Sequence, residues 1–392
     1  MPRDMKAHFV ALFLLLSLSA AAQESKSLPP WSRGMLDIHQ ISTGHGNAAF
    51  FIFPDGTTML VDAGAVGDDT TGAKIARYIA RMAPVNRELN AIITHYHADH
   101  MPGFPEKPRL DYALITHYHA DHMAGLPDVG TAIPIDTIID RGTAYLPPPD
   151  DAMMKKFRAF IADKHVKEEA IRVGANDQIV LRNEPDAFKS FEVRNVAGSG
   201  QVWTGEGNGA RPIFPTTYAK EDMPGENMCS IGLRIRYGRF DFFTGGDMPG
   251  VPDAGAPEWQ SVETAVARVI GPTDVHVANH HGSIDPESAF FLATLRSPVI
   301  ILPSWSPTHP SQDSLKRMLA TRLYPGPHDI FATKLYDATK TSIGSRVDQL
   351  KAQHGHIVVR VAPGGDRYQV YVLDDVGEEP NVVAIHGPYD AR

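Results

Sequence analysis

Cysteine is almost missing from this chain: Cys229 is the single one in 392 residues. One thiol cannot make an internal disulfide, and no cysteine near the N-terminus offers a lipid attachment point. Long apolar runs are as scarce. Phe9 to Ala22 is the one strongly apolar stretch, it is too short to span a bilayer comfortably, and nothing after it is long and apolar enough to cross a membrane. Positive charge is in deficit, with 37 Lys and Arg against 46 Asp and Glu and a formal net charge of −9. A general electrostatic attraction for nucleic acid is therefore not expected, nor is stable nucleic-acid binding. No serine or cysteine nucleophile motif stands out. The remaining composition, 43% hydrophobic and 21% charged residues, suits a soluble globular chain with a substantial core.

Arg3 and Lys6 precede the apolar run, which ends in Ala20-Ala21-Ala22 before Gln23-Glu24. Residues 1–22 read as a secretory signal peptide cut after Ala22, giving a secreted or periplasmic protein with no membrane attachment after cleavage. An uncleaved anchor is the alternative. Residues 23–33 read as a short linker, 34–378 as the folded domain and 379–392 as a C-terminal tail.

Histidine, by contrast, is concentrated. Thr94-His95-Tyr96-His97-Ala98-Asp99-His100-Met101 returns twenty-two residues later as Thr116-His117-Tyr118-His119-Ala120-Asp121-His122-Met123, so six of the 18 histidines sit in two copies of one motif. An apolar run leads into each copy, Ala91 to Ile93 and Tyr112 to Ile115, as a buried strand would. Residues two apart on a strand share a face, which places His117 and His119 on one side. Where the strand ends and the chain turns, Asp121 and His122 reach a second position. Imidazole and carboxylate are ligands that zinc and its neighbours accept. Four of them in six residues suit two adjacent metals that share and activate one water. A histidine-rich surface loop that binds metal adventitiously is the bland alternative.

Thr-His-x-His-x-Asp-His after an apolar strand resembles the signature of the metallo-β-lactamase superfamily. That resemblance implies an α/β (α+β) fold, a four-layered αβ/βα sandwich. Thr58 to Val61, ending in Asp62-Ala63-Gly64, resembles the superfamily's first motif, which implies that Asp62 buttresses the metal loop without ligating. Ser42-Thr43-Gly44-His45-Gly46-Asn47 resembles the glycine-rich opening loop of the hydrolase domain in the DNA-uptake protein ComEC. It makes His45 a candidate to face the site, with a solvated loop histidine as the alternative. Arg239 to Thr244 leads as a strand into Gly245-Gly246-Asp247, resembling the motif whose aspartate bridges both metals, and a carboxylate with two oxygens is the natural bridging group. Val275 to Ala278 leads into Asn279-His280-His281-Gly282-Ser283, which resembles the fifth motif of ComEC-type members. His281 is then a second-metal ligand, with His280 beside it. His309-Pro310 also resembles ComEC-type domains, making His309 a candidate for leaving-group binding or general acid work, with a helix-capping turn as the alternative.

Of the two copies the second is favoured, because Leu110 to Ile115 is the fuller strand and Ala124-Gly125-Leu126 is nearer to the Gly-Gly-Leu that relatives carry after the motif. The alternative site is His95, His97, Asp99 and His100. One departure stands out. Most superfamily members supply a third histidine to the first metal, where this chain has Glu226-Asn227-Met228-Cys229-Ser230. The first metal is then held by His117, His119 and Asp247, with Asn227 or water beside them. Cys229 reads as a buried structural cysteine, a thiolate ligand being the alternative. Helix is predicted over 72–82, a family-specific insertion over the core at 143–225, a loop across the glycine-rich run 198–209 with a lid carrying Trp203 over the substrate as the alternative, and the strands from Phe331 to Leu373 in the second sheet.

These resemblances imply a secreted hydrolase with two divalent ions, Zn2+ first and Mn2+ as the alternative. A hydroxide held between the ions attacks a small-molecule or phosphodiester substrate while Asp121 and Asp247 orient it. Phosphodiester or phosphate-ester hydrolysis ranks first. Lactone or amide hydrolysis and a non-catalytic binding role are the alternatives. Oligomeric state and physiological substrate are left open.

Overall fold

The computed structural model describes residues 27–84, 107–377 and 379–392. The first motif copy, with His95, His97, Asp99 and His100, lies outside them, as does the apolar N-terminal run. The chain opens with β1 (Leu36–Gln40), β2 (Ala49–Ile52) and β3 (Thr58–Val61), then helix α1 (Thr71–Met82) and β4 (Leu110–Leu114). Two short helices, α2 (Ala120–Met123) and α3 (Leu126–Ala132), lead to β5 (Ile135–Asp140), α4 (Ala152–Lys164) and β6 (Lys167–Ala170). A second group comes after them: β7 (Phe191–Gly198), β8 (Gln201–Trp203), β9 (Ala210–Pro212), β10 (Gly232–Tyr237), β11 (Phe240–Thr244), α5 (Val262–Ile270) and β12 (Val275–Val277). Next come α6 (Ala289–Leu295), β13 (Val299–Leu302), α7 (Gln312–Met318), β14 (Asp329–Ala332) and α8 (Asp337–Ile343). The chain ends in β15 (His356–Val361), β16 (Arg367–Leu373) and β17 (Val382–Asp390).

These strands form a nine-stranded sheet in the order β17-β16-β15-β1-β2-β3-β4-β5-β6 and an eight-stranded sheet in the order β14-β13-β12-β11-β10-β7-β8-β9. Each sheet is antiparallel along one part and parallel along the other, from β3 to β6 and from β11 to β14. Both faces of the central strands are covered, which is why they read as unbroken apolar runs. Phe51 and Phe53 of the β2 region face the other sheet, Phe51 against Phe242 and Phe53 against Phe191, in one core with Ile301 and Phe331. Phe50 and Ile52, one residue out of phase, pack on Ile75, Ile79, Val129 and Phe157 of the outer helices. The second sheet repeats this with α5 and α6 behind Phe243, and α7 behind Ile300 and Leu302. Helix, sheet, sheet, helix is the four-layered sandwich expected.

Three expectations need correction. The strands β15 and β16 join the first sheet, not the second, because β15 pairs with β1 over its whole length, Leu36 opposite Val361 through Gln40 opposite Ile357. Residues 379–392 are not a tail, since β17 pairs with β16 and forms the sheet edge. The segment 143–225 does not lie over the core but is woven into it: β6 edges the first sheet and β7 is a central strand of the second, paired with β10 and β8. Its glycine-rich run makes a hairpin of β8 and β9, with Trp203 Nε1 donating to Gly207 O at 2.9 Å and the ring packed on Arg194.

At the start of β15, His356 is buried against Tyr78 (4.5 Å between ring centroids), and its Nδ1 accepts from Ser42 N–H at 3.0 Å. Burial holds its imidazole down to about 4. A histidine depressed in the folded state stabilises the fold above its unfolded pKa near 6.5, and that stability is lost as pH falls toward 4. In chelator-treated protein, urea unfolding at pH 7 and pH 4.5 should show wild type losing about 2–3 kcal/mol more than His356→Gln. Equal losses would mean that the buried imidazole is not what titrates.

Candidate metal centre

The loops that leave β3, β4, β11, β12 and β13 at their carboxyl ends meet at one end of the sandwich, the usual location for ligand chemistry in sheets with parallel strands. Beyond β4 the chain bends through Thr116–Tyr118 and brings the His117 and His119 rings together, with centroids 4.7 Å apart. His119 then caps α2, whose first turn is fastened by His122 N–H to His119 O at 3.0 Å, and this turn carries Asp121 and His122 round to a second position. Asp247 follows β11 across Gly245-Gly246, where Gly246 holds a φ of +59° and a Cβ would meet Thr116 at 2.9 Å. His281 follows β12 on a turn in which His280 and His281 both adopt left-handed backbone, φ 45° and 55°. Such conformations cost non-glycine residues about 1–3 kcal/mol each and persist only where the surroundings impose them.

Two clusters result. Asp121, His122, Asp247 and His281 offer ligand atoms within 4.8 Å of one another, and so do His117, His119 and Asp247. Asp247 belongs to both.

The hydrogen-bond partners of each ring decide whether a cation fits. His122 Nδ1 lies 2.7 Å from Asp62 Oδ2 and His281 Nδ1 lies 3.0 Å from Pro303 O, so both Nδ1 atoms carry the proton and both Nε2 atoms present lone pairs. Those Nε2 atoms face each other at 3.3 Å. Asp247 Oδ1 is 3.1 Å from the first and 3.5 Å from the second, and Asp121 Oδ2 is 3.1 Å from His281 Nε2. On the other side, Thr116 Oγ1 gives its proton to Asp62 and so accepts from His117 Nδ1–H at 3.1 Å. That turns the His117 Nε2 lone pair toward His119 Nδ1, 3.1 Å away, and toward Asp247 Oδ2, 3.8 Å away. Acceptors converging on acceptors repel unless a cation lies among them, and Asp247 Oδ1 has no hydrogen-bond donor among the described residues. The donor set fits divalent metal ions.

The titration behaviour agrees. Burial alone would raise the Asp247 carboxyl, but His122 and His281 around it hold it well below the usual carboxylate range. Burial also works against a charged His122, yet Asp247, Asp62 and Asp121 outweigh it and raise this imidazole well above its ordinary value.

Asp62 lies behind the His122 ring and outside both clusters. Its carboxylate accepts from Thr116 N at 2.8 Å, Thr116 Oγ1 at 2.9 Å, Asn47 Nδ2 at 2.9 Å and His122 Nδ1 at 2.7 Å. Gly64 lets this loop press on the metal loop, since a Cβ there would lie 1.9 Å from Asp121 O.

Other expected residues are placed differently. His45 turns away, its Nδ1 2.7 Å from Val66 O and its Nε2 3.5 Å from Asp68, and joins neither cluster. His280 also stays outside both clusters: Nδ1 bonds Asp285 at 2.8 Å, and Nε2 lies 3.2 Å from Asn227 Nδ2 and 3.7 Å from Asp247. Asn227 Oδ1 is buried without a partner among the described residues, free to face a cation. His309 stacks on His281 at 5.0 Å, with Trp305 edge-on to both rings. Burial and the adjacent His281 hold its imidazole down to about 3, an environment that disfavours the general-acid role. Cys229 is buried and its thiol is pushed up to about 12, which makes a thiolate ligand unfavourable.

Two supports carried no signal in the sequence. Arg141, 1% exposed, grips Glu226 through Nε at 2.6 Å and its terminal nitrogen at 2.7 Å. Glu226 in turn accepts from Tyr118 N–H, between His117 and His119, at 2.8 Å. Under the other loop, buried Glu263 accepts from Asn279 Nδ2 at 2.9 Å, and Glu287 accepts from Asn279 N–H at 3.1 Å. This explains how the strained His280-His281 turn is held. Single charged residues far apart in sequence form no motif, so nothing local announces either pair.

Residues 105–284, just under half of the chain, match the model of the Metallo-beta-lactamase superfamily. No curated protein matches the sequence. Among solved structures the chain is similar to a mutant of CmlA beta-hydroxylase, with 15% identity and TM-score 0.39, covering 85% of this chain and 55% of that one. It is also similar to Zn(2+)-bound PqqB from Methylobacterium extorquens, with 13% identity, TM-score 0.39, and 80% and 86% of the two chains covered. A third is Igni18, a metallo hydrolase from the hyperthermophilic archaeon Ignicoccus hospitalis, with 12% identity, TM-score 0.32, and 84% and 96% covered. The matched segment takes in every residue of the two clusters, from His117 to His281, and the four-layered sandwich agrees with the fold of that superfamily.

Proposed function

We propose that this chain is a hydrolase of phosphodiesters or phosphate esters that depends on two divalent metal ions, zinc first and manganese as the alternative, and that it acts outside the cytoplasm. The observation that carries the reading is Asp247, which turns Oδ1 toward His122 and His281 and Oδ2 toward His117, so that two clusters share one carboxylate. A pair of divalent ions, when bound, polarises the scissile oxygen and acidifies water. The residues supply the rest. Asp121 and Asp247 orient the attacking group, and the preset tautomers of His117, His122 and His281 keep their Nε2 lone pairs ready. His119 and Asp121 lie on the more open side, where substrate would enter. The preference for a phosphoryl centre rests on the ComEC-like opening loop, Asn227 in place of a third histidine, and His-His-Gly-Ser. The export reading rests on the basic residues and apolar run at the N-terminus.

The test is metal content together with hydrolysis of bis-p-nitrophenyl phosphate. Purified protein should carry divalent metal, and chelator should lower the rate by at least about a hundredfold, with Zn2+ or Mn2+ restoring it. Turnover of lactone or β-lactam substrates without phosphodiester turnover would replace the substrate class. Protein that takes up no metal and hydrolyses nothing would point to a binding role.

A further inference from the structure

The parallel strands β11, β12, β13 and β14 end, in sheet order, at Asp247, His281, the Trp305–His309 loop and Lys334. Three of those four places already belong to the metal centre or its wall. The fourth carries a lysine that lies outside every sequence motif.

Its backbone is clamped to the site wall. Ser304 Oγ donates to Lys334 O at 2.6 Å, and Thr333 Oγ1 donates to Ser304 O at 2.9 Å, directly before Trp305. Its side chain reaches across to the other sheet's loop. A Cβ on Gly44 would stand 2.9 Å from Lys334 Nζ, so the ammonium lies over that glycine. Two residues on, Gly46 is packed so tightly on the metal loop that a Cβ would meet Asp121 O at 2.4 Å. Lys334 therefore bridges the Ser304 segment, directly before Trp305, and the Gly44–Gly46 loop, which packs on the backbone of Asp121.

The ammonium is half-buried, and among the described residues it forms no ion pair; its one charge-related contact is the Tyr336 ring at 4.8 Å. In a chain of net charge −9, beside a centre built on Asp62, Asp121 and Asp247, a lysine without a carboxylate is a cation kept for something else.

We propose that Lys334 is a specificity-determining residue whose ammonium receives the anionic group of the substrate at the mouth of the metal centre. This rests on the hydrolase reading above. A compact, rotatable ammonium suits a phosphoryl oxygen or a carboxylate approached from one side. Gly44 is what leaves room for both the lysine and the anion.

The experiment compares metal-loaded wild type, Lys334→Gln and Lys334→Arg on anionic bis-p-nitrophenyl phosphate and on neutral p-nitrophenyl acetate, with inorganic phosphate titrated into each protein by calorimetry. Lys334→Gln should raise KM for the anionic ester about tenfold and leave kcat within about twofold. It should weaken phosphate binding by a similar factor, with the neutral ester and metal content unchanged, and Lys334→Arg should recover most of the loss. Equal losses on both esters, or an unchanged KM and phosphate affinity, would overturn the proposal. If wild type hydrolyses neither ester, the hydrolase reading fails by itself. The phosphate titration still decides Lys334: identical binding in wild type and Lys334→Gln rejects it.

Discussion

Replacing Asp247 by alanine should strip metal from the protein and lower phosphodiester hydrolysis by on the order of a thousandfold or more. No other described residue belongs to both clusters. Its loss removes the negative charge that balances two cations and leaves His122, His281 and His117 to repel one another. Asp247→Asn keeps the shape and one good acceptor oxygen, so partial occupancy with most of the rate lost is the expected intermediate. Elemental analysis and reporter turnover on the same preparations give the answer. Full metal and full rate in Asp247→Ala would mean that the chemistry lies elsewhere. The duplicated motif supplies a second comparison. Loss of metal and activity in His117→Ala/His119→Ala but not in His95→Ala/His97→Ala assigns the site to the second copy; the reverse would move it to Asp99 and His100.

Arg141→Ala should destabilise the fold by about 3–5 kcal/mol, because it leaves Glu226, with 14% of its side chain exposed, charged and stripped of its bidentate partner. The carbonyls of Gly142 and Leu146, which also accept from this guanidinium, lose their donor as well. A fall in melting temperature of roughly 5–10 °C is expected in the metal-free protein. Because Glu226 holds Tyr118 N–H, metal affinity should fall about 10–100-fold as the His117–His119 segment loosens. Arg141→Lys should rescue little, since an ammonium cannot make the two parallel bonds seen at 2.6 and 2.7 Å. A melting curve unchanged in Arg141→Ala would show that the pair contributes no net stability.

The strand-end histidines and aspartates are legible in the sequence because their positions obey local rules. His117 and His119 stand two apart after an apolar strand, a helical turn brings in Asp121 and His122, Gly245-Gly246 marks Asp247 and Gly282 marks His281. The features that local rules miss depend on pairing across long separations. His-Ile-Val-Val-Arg-Val can fill a central place in either sheet; only the partnership with β1 decides, and that partner lies some three hundred residues away. Val382–Asp390 contains Gly387 and Pro388 and so reads as irregular, yet an edge strand tolerates a residue that cannot donate to a ladder. The run 198–209 reads as loop for its glycines, and those glycines form the turns of a hairpin. His309 reads as a proton donor from its motif, whereas the titration of an imidazole is set by its neighbours. Arg141 with Glu226, and Glu263 with Glu287, are contacts of the folded chain alone.

The placement of β15 also sets a timetable. β1 is among the first strands made, and one of its edges waits for a partner until the chain has been synthesised past residue 361. The candidate metal ligands, from His117 to His281, all emerge well before that. A growing chain therefore carries all the candidate ligands alongside an open sheet edge, the kind of surface that pairs with other chains. Closing a sheet between segments so distant is slow. Aggregation during refolding should thus depend on how fast the last three strands arrive, and metal bound early would hold the two sheets together while the edge waits.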